Sequence, residues 1–218
     1  MPSATPLSET AVLAALAPEG GRSASTGDHA DTAVRIMLAA ADAFAERGFH
    51  ATTTRDIASR AGLSPAGVYV HFASKEVLLF ELSRRGHERA RDLLVAAREA
   101  GPTPTDALRS IVGGFSRWHA EHYSLGRIVQ FEFRHLSPEH RDEVLMLRRE
   151  IDQVVAGVLR DGVASGEFTV ADVSATSLAL LSMAIDVARW YSPEVRRTPE
   201  AIESAYGDLA VRLVRADG

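Results

Sequence analysis

Residues 52–72 read TTTRDIASRAGLSPAGVYVHF, and local chemistry divides this stretch into two short helices. Thr53 and Asp56, three apart, make a reciprocal capping pair that opens the first helix. Its inward face is Ile57, Ala58 and Ala61. Gly62 breaks it, Leu63 plugs the turn, and Ser64-Pro65 opens the second helix. A hydroxyl there satisfies an orphan N–H, and proline at the first helical position loses nothing. The second helix buries Val68 and Phe72 and turns Ala66, Tyr69, Val70 and His71 outward. Two short helices joined by a three-residue turn containing glycine have the dimensions of a helix-turn-helix, whose second helix enters the DNA major groove. Small residues at its start let the backbone approach base edges. Thr54, Arg55, Ser64, Tyr69 and His71 carry donors suited to phosphates. Lys75 stands at the start of the next helix, where the dipole also favours an anion. An ordinary helical hairpin explains any one of these residues, but not all of them in this order.

Outward from this motif the pattern stays helical. Val34, Met37, Leu38, Ala41, Phe44 and Ala45 recur at helical spacing, as do Leu108, Ile111, Val112, Phe115 and Trp118. Ser64-Pro65, Thr103-Pro104, Ser137-Pro138 and Thr198-Pro199 predict four capped helix starts, and Gly48, Gly62, Gly101 and Gly166 predict stops. The spacing predicts nine helices, over 31–47, 54–61, 65–71, 75–99, 104–122, 125–134, 138–164, 172–191 and 199–215. No segment alternates with period two and there is no internal repeat, so the fold class is all-α. Residues 1–30, rich in Pro, Gly, Ala and Ser, read as a flexible leader with a short helix near Thr10–Leu16.

Composition narrows the function. A chain of 218 residues that is 46% apolar buries a real core. It has no cysteine, which removes disulfides, thiolate metal sites and a cysteine nucleophile and fits a reducing cytoplasm. There is no apolar run of the roughly 18 residues a membrane span needs, and no secretory signal at the start. The net charge of −5 argues against indiscriminate coating of nucleic acid. Residues 31–75 nevertheless carry a net +1, leaving −6 on the rest.

The stretch from Arg35 to Leu82, RIMLAAADAFAERGFHATTTRDIASRAGLSPAGVYVHFASKEVLLFEL, resembles the DNA-binding domain of the TetR family of transcriptional regulators. The match is ungapped. It includes Gly48, the threonine run, Asp56-Ile57-Ala58, Ala61-Gly62, Ser64, Gly67, Val68-Tyr69, His71-Phe72 and Lys75-Glu76. The resemblance implies a homodimer of helical chains, each with a three-helix head and a six-helix regulatory body. The third helix would read a palindromic operator in double-stranded DNA, and the fourth would link the head to a ligand-binding domain. Ser64, Ala66, Gly67, Tyr69 and His71 then fall on the reading helix and its cap. Thr54 and Arg55 open the supporting helix, and Lys75 opens the fourth. The domains expected are a leader over 1–30, a DNA-binding head over 31–76 and a ligand-binding and dimerisation body over 77–218.

The body carries no motif of comparable force. Phe115, Trp118, His119 and His122 share a stripe of the fifth helix. Phe131 on the sixth, Leu147 and Ile151 on the seventh and Leu181 and Ile185 on the eighth are the apolar residues expected to face it. Together they predict an apolar pocket with a few polar groups, the usual form of a small-molecule site; the competing reading is a filled helical core. His119 and His122, with Glu121 and His135 near in sequence, lack a third ligand at fixed spacing, so no metal is expected, and nothing implies a cofactor. Asp186 and Arg189 predict a local ion pair. Arg117, Arg127 and Arg134 suit either a solvated face or an anionic head group. The eighth helix is apolar nearly all round and the ninth carries a clean stripe, so the two are expected to form the dimer interface. The run Asp161-Gly162-Val163 to Gly166-Glu167-Phe168, with Arg189-Trp190-Tyr191, is similar to a TetR subgroup that responds to acyl-CoA thioesters or other lipid-like molecules. An enzyme is disfavoured, for want of a nucleophile elbow, a phosphate-binding glycine loop or a paired metal motif. A helical protein-interaction adaptor without DNA binding is the remaining alternative.

Overall fold

The computed structural model describes residues 27–215, with side chains from Asp31 onward. Among these residues the chain forms nine α-helices, one 3-10 turn and no strand. The helices are α1 (Gly27–Ala51), α2 (Thr54–Arg60), α3 (Pro65–His71), α4 (Lys75–Ala100), α5 (Pro104–Glu121), α6 (Tyr123–Phe131), α7 (Pro138–Ser165), α8 (Val173–Trp190) and α9 (Pro199–Val214). The 3-10 turn is Phe133–His135. Residues 27–30, read from sequence as leader, are the first turn of α1. The rest of the expected leader and its short helix lie outside the described residues.

All four hydroxyl–proline starts are realised. Ser64, Thr103, Ser137 and Thr198 accept, through the side-chain oxygen, from the backbone N–H of Gly67, Asp106, His140 and Ala201 at 3.1, 3.1, 3.2 and 3.2 Å. Such a cap contributes about 1 kcal/mol. The glycine stops divide into two kinds. Gly48, Gly62 and Gly166 take positive φ, so a side chain there would be strained. Gly101 does not; a Cβ at Gly101 would lie 2.6 Å from the Ala107 backbone, so close packing demands the glycine. The sixth helix differs from expectation at both ends. His122 leaves helical geometry (φ −116°, ψ 31°) and caps α5, and the segment expected to carry α6 on to 134 tightens into the 3-10 turn.

Contacts divide the chain into two compact units. Of the described residues, one contains those up to Gly86 together with Ser124–Val144, and the other contains His87–Tyr123 and those from Leu145 onward. In the first, α2 packs against α1 and α3, and Ile36, Met37, Phe44, Ile57, Val68, Leu78 and Leu79 are buried. Two carboxylates tie the 132–140 segment into this unit. Glu132 accepts from the Phe49 N–H at 3.1 Å. Glu76 accepts from the Ser137 N–H at 2.8 Å and from His140 Nδ1 at 2.9 Å, while the His140 ring stacks on Phe80. In the second unit, Leu94, Leu108, Ile111, Phe115, Ile151, Val155, Leu159 and Leu180 belong to one buried cluster. Here α5 and α9 meet backbone to backbone, and a Cβ at Gly113 would fall 2.6 Å from the Glu203 carbonyl oxygen.

Candidate nucleic-acid interface and effector region

The supporting helix α2 is fixed at both ends. The Thr53 hydroxyl accepts from the Asp56 N–H at 3.2 Å and the Asp56 carboxylate accepts from the Thr53 N–H at 2.9 Å, the reciprocal pair expected. The Thr53 hydroxyl also donates to that carboxylate at 2.6 Å; this bond, then the one from the Thr53 N–H, with Arg47 and Arg60 near, holds the Asp56 carboxyl below the usual carboxylate range. At the other end the Gly62 N–H reaches the Ser59 carbonyl and the Leu63 N–H the Ala58 carbonyl, at 3.2 and 2.9 Å. That pair of bonds needs a left-handed residue between them, and Gly62 supplies it at φ 67°. The turn delivers the chain to Ser64, which caps α3 at once.

Thus held, α3 buries Val68 and presents Ala66, Tyr69 and Val70 to solvent, the last two 54% and 74% exposed. Gly67 is half-buried, His71 is half-buried, and Ser64 is exposed with its oxygen committed to the cap. Arg55 is exposed and Thr54 half-buried at the start of α2. Val70, turned outward in the sequence reading but given no role there, stands one turn on from Ala66 and off the Val68 face.

Lys75 is placed differently from the expectation. Its ammonium donates to the carbonyl oxygens of Phe49 and Thr52 at 2.6 and 2.8 Å and lies 4.3 Å from the centre of the Phe49 ring. Two of its three donors thus clamp the α1–α2 connection instead of facing outward, because the carbonyls left bare by the kink at Gly48 lie within its reach. Buried Thr52 completes the clamp, donating to the carbonyls of Ala43 and Gly48.

In the second unit, Phe115, Ile151 and Leu181 lie in the buried cluster, with Trp118 and Ile185 partly buried against it; Leu147 is also buried. Phe131 is a correction. It belongs to the other unit and is 57% exposed, because α6 buries Ser124, Leu125, Ile128 and Val129 and turns Phe131 away. His119 and His122 are both buried, and each places Nδ1 2.9 Å from the carbonyl four residues earlier, on Phe115 and Trp118. Burial pushes the His119 pKa down to about 4, so its imidazole is neutral at pH 7. The Trp118 ring stacks on His122 at 4.8 Å. Arg117 pairs with Glu121, Glu200 and Glu203, and Arg189 pairs with Asp186. Among the described residues no group of three or more His, Asp or Glu is placed to hold a metal, and no helix is long and apolar enough to cross a membrane.

A capped seven-residue helix, seated on a second and bare on its outer face, in a chain that also carries a separate helical unit, defines a helix-turn-helix DNA-binding protein. Family models agree along most of the chain: bacterial regulatory proteins of the tetR family over residues 36–82, and the tetracyclin repressor-like C-terminal domain over residues 101–214. The chain belongs to the tetR family of transcriptional regulators. It is 32% identical over 177 residues to the transcriptional repressor KstR2 of Rhodococcus jostii, covering 78% of this chain and 85% of that one. A solved tetR-family regulatory protein from Rhodococcus RHA1 is 37% identical, with a TM-score of 0.81 over 85% of this chain and 98% of that one. The fold is also similar to that of FadR from Bacillus subtilis, solved in complex with stearoyl-CoA; the TM-score is 0.69 at 22% identity, over 81% and 96% of the two chains.

Proposed function

We propose that this regulator is a cytoplasmic repressor that holds a near-palindromic operator as a homodimer and leaves it when a small apolar or acyl-CoA-like effector binds the second unit. The observation that carries the DNA side is the outward face of α3. Ala66 and Gly67 bring the backbone to base edges, and Val70 offers an apolar contact for a thymine methyl. Thr54, Arg55, Ser64, Tyr69 and His71 meet the phosphates, and Lys75 positions the α1–α2 connection.

Support for the dimer comes from α8 and α9. Leu178 and Leu213 are 66% and 58% exposed, and Leu209 is also exposed. Leucines bare on two neighbouring helices are the surface a second copy would cover, which a buried monomer core does not explain. Support for the effector comes from Trp118 and Ile185, half-open at the margin of the core and beside it His119 and His122. The relatives' names point the same way: KstR2 is a repressor, and FadR is solved with stearoyl-CoA. Release requires the effector to bind the DNA-free arrangement more tightly than the DNA-bound one.

A gel shift against the DNA upstream of its own gene, repeated with acyl-CoA thioesters of increasing chain length, tests this reading. A retarded band that one thioester abolishes is expected. A band that no thioester changes removes the proposed effector class, and the absence of any band favours the adaptor.

A further inference from the structure

We propose that His122 is the polar anchor of the effector region, and that it selects ligands presenting an uncharged hydrogen-bond donor, a hydroxyl or amide N–H, on an apolar body. The inference rests on the reading that the second unit takes a small molecule, and it names the chemistry of that molecule.

His122 is only 8% exposed. It closes α5, where its backbone N–H bonds to the Trp118 carbonyl, and its Nδ1 lies 2.9 Å from the same oxygen. A carbonyl oxygen only accepts, so Nδ1 carries the proton. With that proton on Nδ1, the neutral form of the ring carries its lone pair at Nε2. That atom is buried and has no hydrogen-bond partner among the described residues. Folded proteins rarely leave a buried acceptor unmet, and such an atom calls for a bound partner.

The surroundings define that partner. Trp118 lies flat against the imidazole, an aromatic shelf for an apolar body. His119 is anchored in the same way through its own Nδ1, to the Phe115 carbonyl, and burial keeps it neutral. Against the His122 lone pair a hydroxyl or amide N–H completes a hydrogen bond.

The test uses the full chain labelled with 15N-histidine and two isomeric probes of matched length, 1-decanol and methyl nonyl ether. Loss of a resonance in His122→Phe assigns His122 Nε2. The alcohol should bind about threefold to tenfold more tightly than the ether, the net worth of one hydrogen bond. It should also move the Nε2 resonance, which the ether should leave in place. In His122→Phe the preference should vanish; in His122→Gln, whose amide oxygen is again an acceptor, part of it should return. Equal affinities in the wild type, or a preference that survives His122→Phe, would overturn the proposal. The acceptor is then met by an internal water, and the apolar effector reading stands. If neither probe binds the folded protein, both fall together. Should His122→Phe fail to fold, assignment passes to His122→Gln, and an Nε2 resonance unmoved by the alcohol overturns the proposal alone.

Discussion

Gly67→Ala separates what the protein requires from what DNA requires. Gly67 sits in the first turn of α3 with φ in the ordinary negative range, so alanine suffers no backbone strain. A Cβ there would meet the Ser64 hydroxyl oxygen at 3.6 Å and the Leu63 Cβ at 3.7 Å, both ordinary contacts. The cap survives, because it uses the residue 67 N–H. Glycine inside a helix is less favourable than alanine by about 0.5–1 kcal/mol, so the variant should be more stable by about that much. For a chain of this size the melting temperature should rise by roughly 1–4 °C. Nothing among the described residues holds this position at glycine, and the reason must stand on the open side of α3. If the backbone there approaches the operator, one methyl group should weaken operator binding by about tenfold, or about 1.4 kcal/mol. Thermal unfolding and a fluorescence-anisotropy titration at one fixed salt concentration measure the two effects. A stabilised variant with wild-type operator affinity would refute the claim that the start of α3 enters the groove. A destabilised variant would refute the packing argument.

Other perturbations address the remaining elements. Lys75→Ala removes two charge-assisted bonds to carbonyls and should cost about 2 kcal/mol in urea denaturation. The salt dependence of operator binding should keep its slope, whereas a slope smaller by about one would show the ammonium on a phosphate. His119 titrates near 4 when folded against an ordinary 6.5, so the unfolded chain takes up the proton first. Its contribution is complete above about pH 6.5 and is lost on acidification, by roughly 2 kcal/mol at pH 5; stability should fall less steeply between pH 7.5 and 5 in His119→Phe. Leu178→Arg or Leu209→Glu should yield monomers at micromolar concentration in sedimentation velocity, where the wild type should sediment as a dimer. A monomeric wild type would remove the proposed interface.

What the sequence determined by itself is local. The Thr53–Asp56 pair, the four hydroxyl–proline starts and the breaks at Gly48, Gly62 and Gly166 all depend on atoms within a few residues of one another. Capping and left-handed geometry act at that range, so the helix-turn-helix, the all-α class and most helix boundaries were legible. What only the tertiary structure decided involves partners distant along the chain. Lys75 reads as a phosphate contact until its ammonium is seen on carbonyls 26 and 23 residues earlier. Gly101 reads as a helix stop, yet the Ala107 backbone is what requires it. Phe131 fits an inward stripe by spacing alone, but α6 packs its Ser124, Leu125, Ile128 and Val129 face and leaves Phe131 in solvent. Periodicity shows that a helix has an apolar face. Which neighbour covers that face, and which buried nitrogen is left without a partner, follows only from how the helices pack.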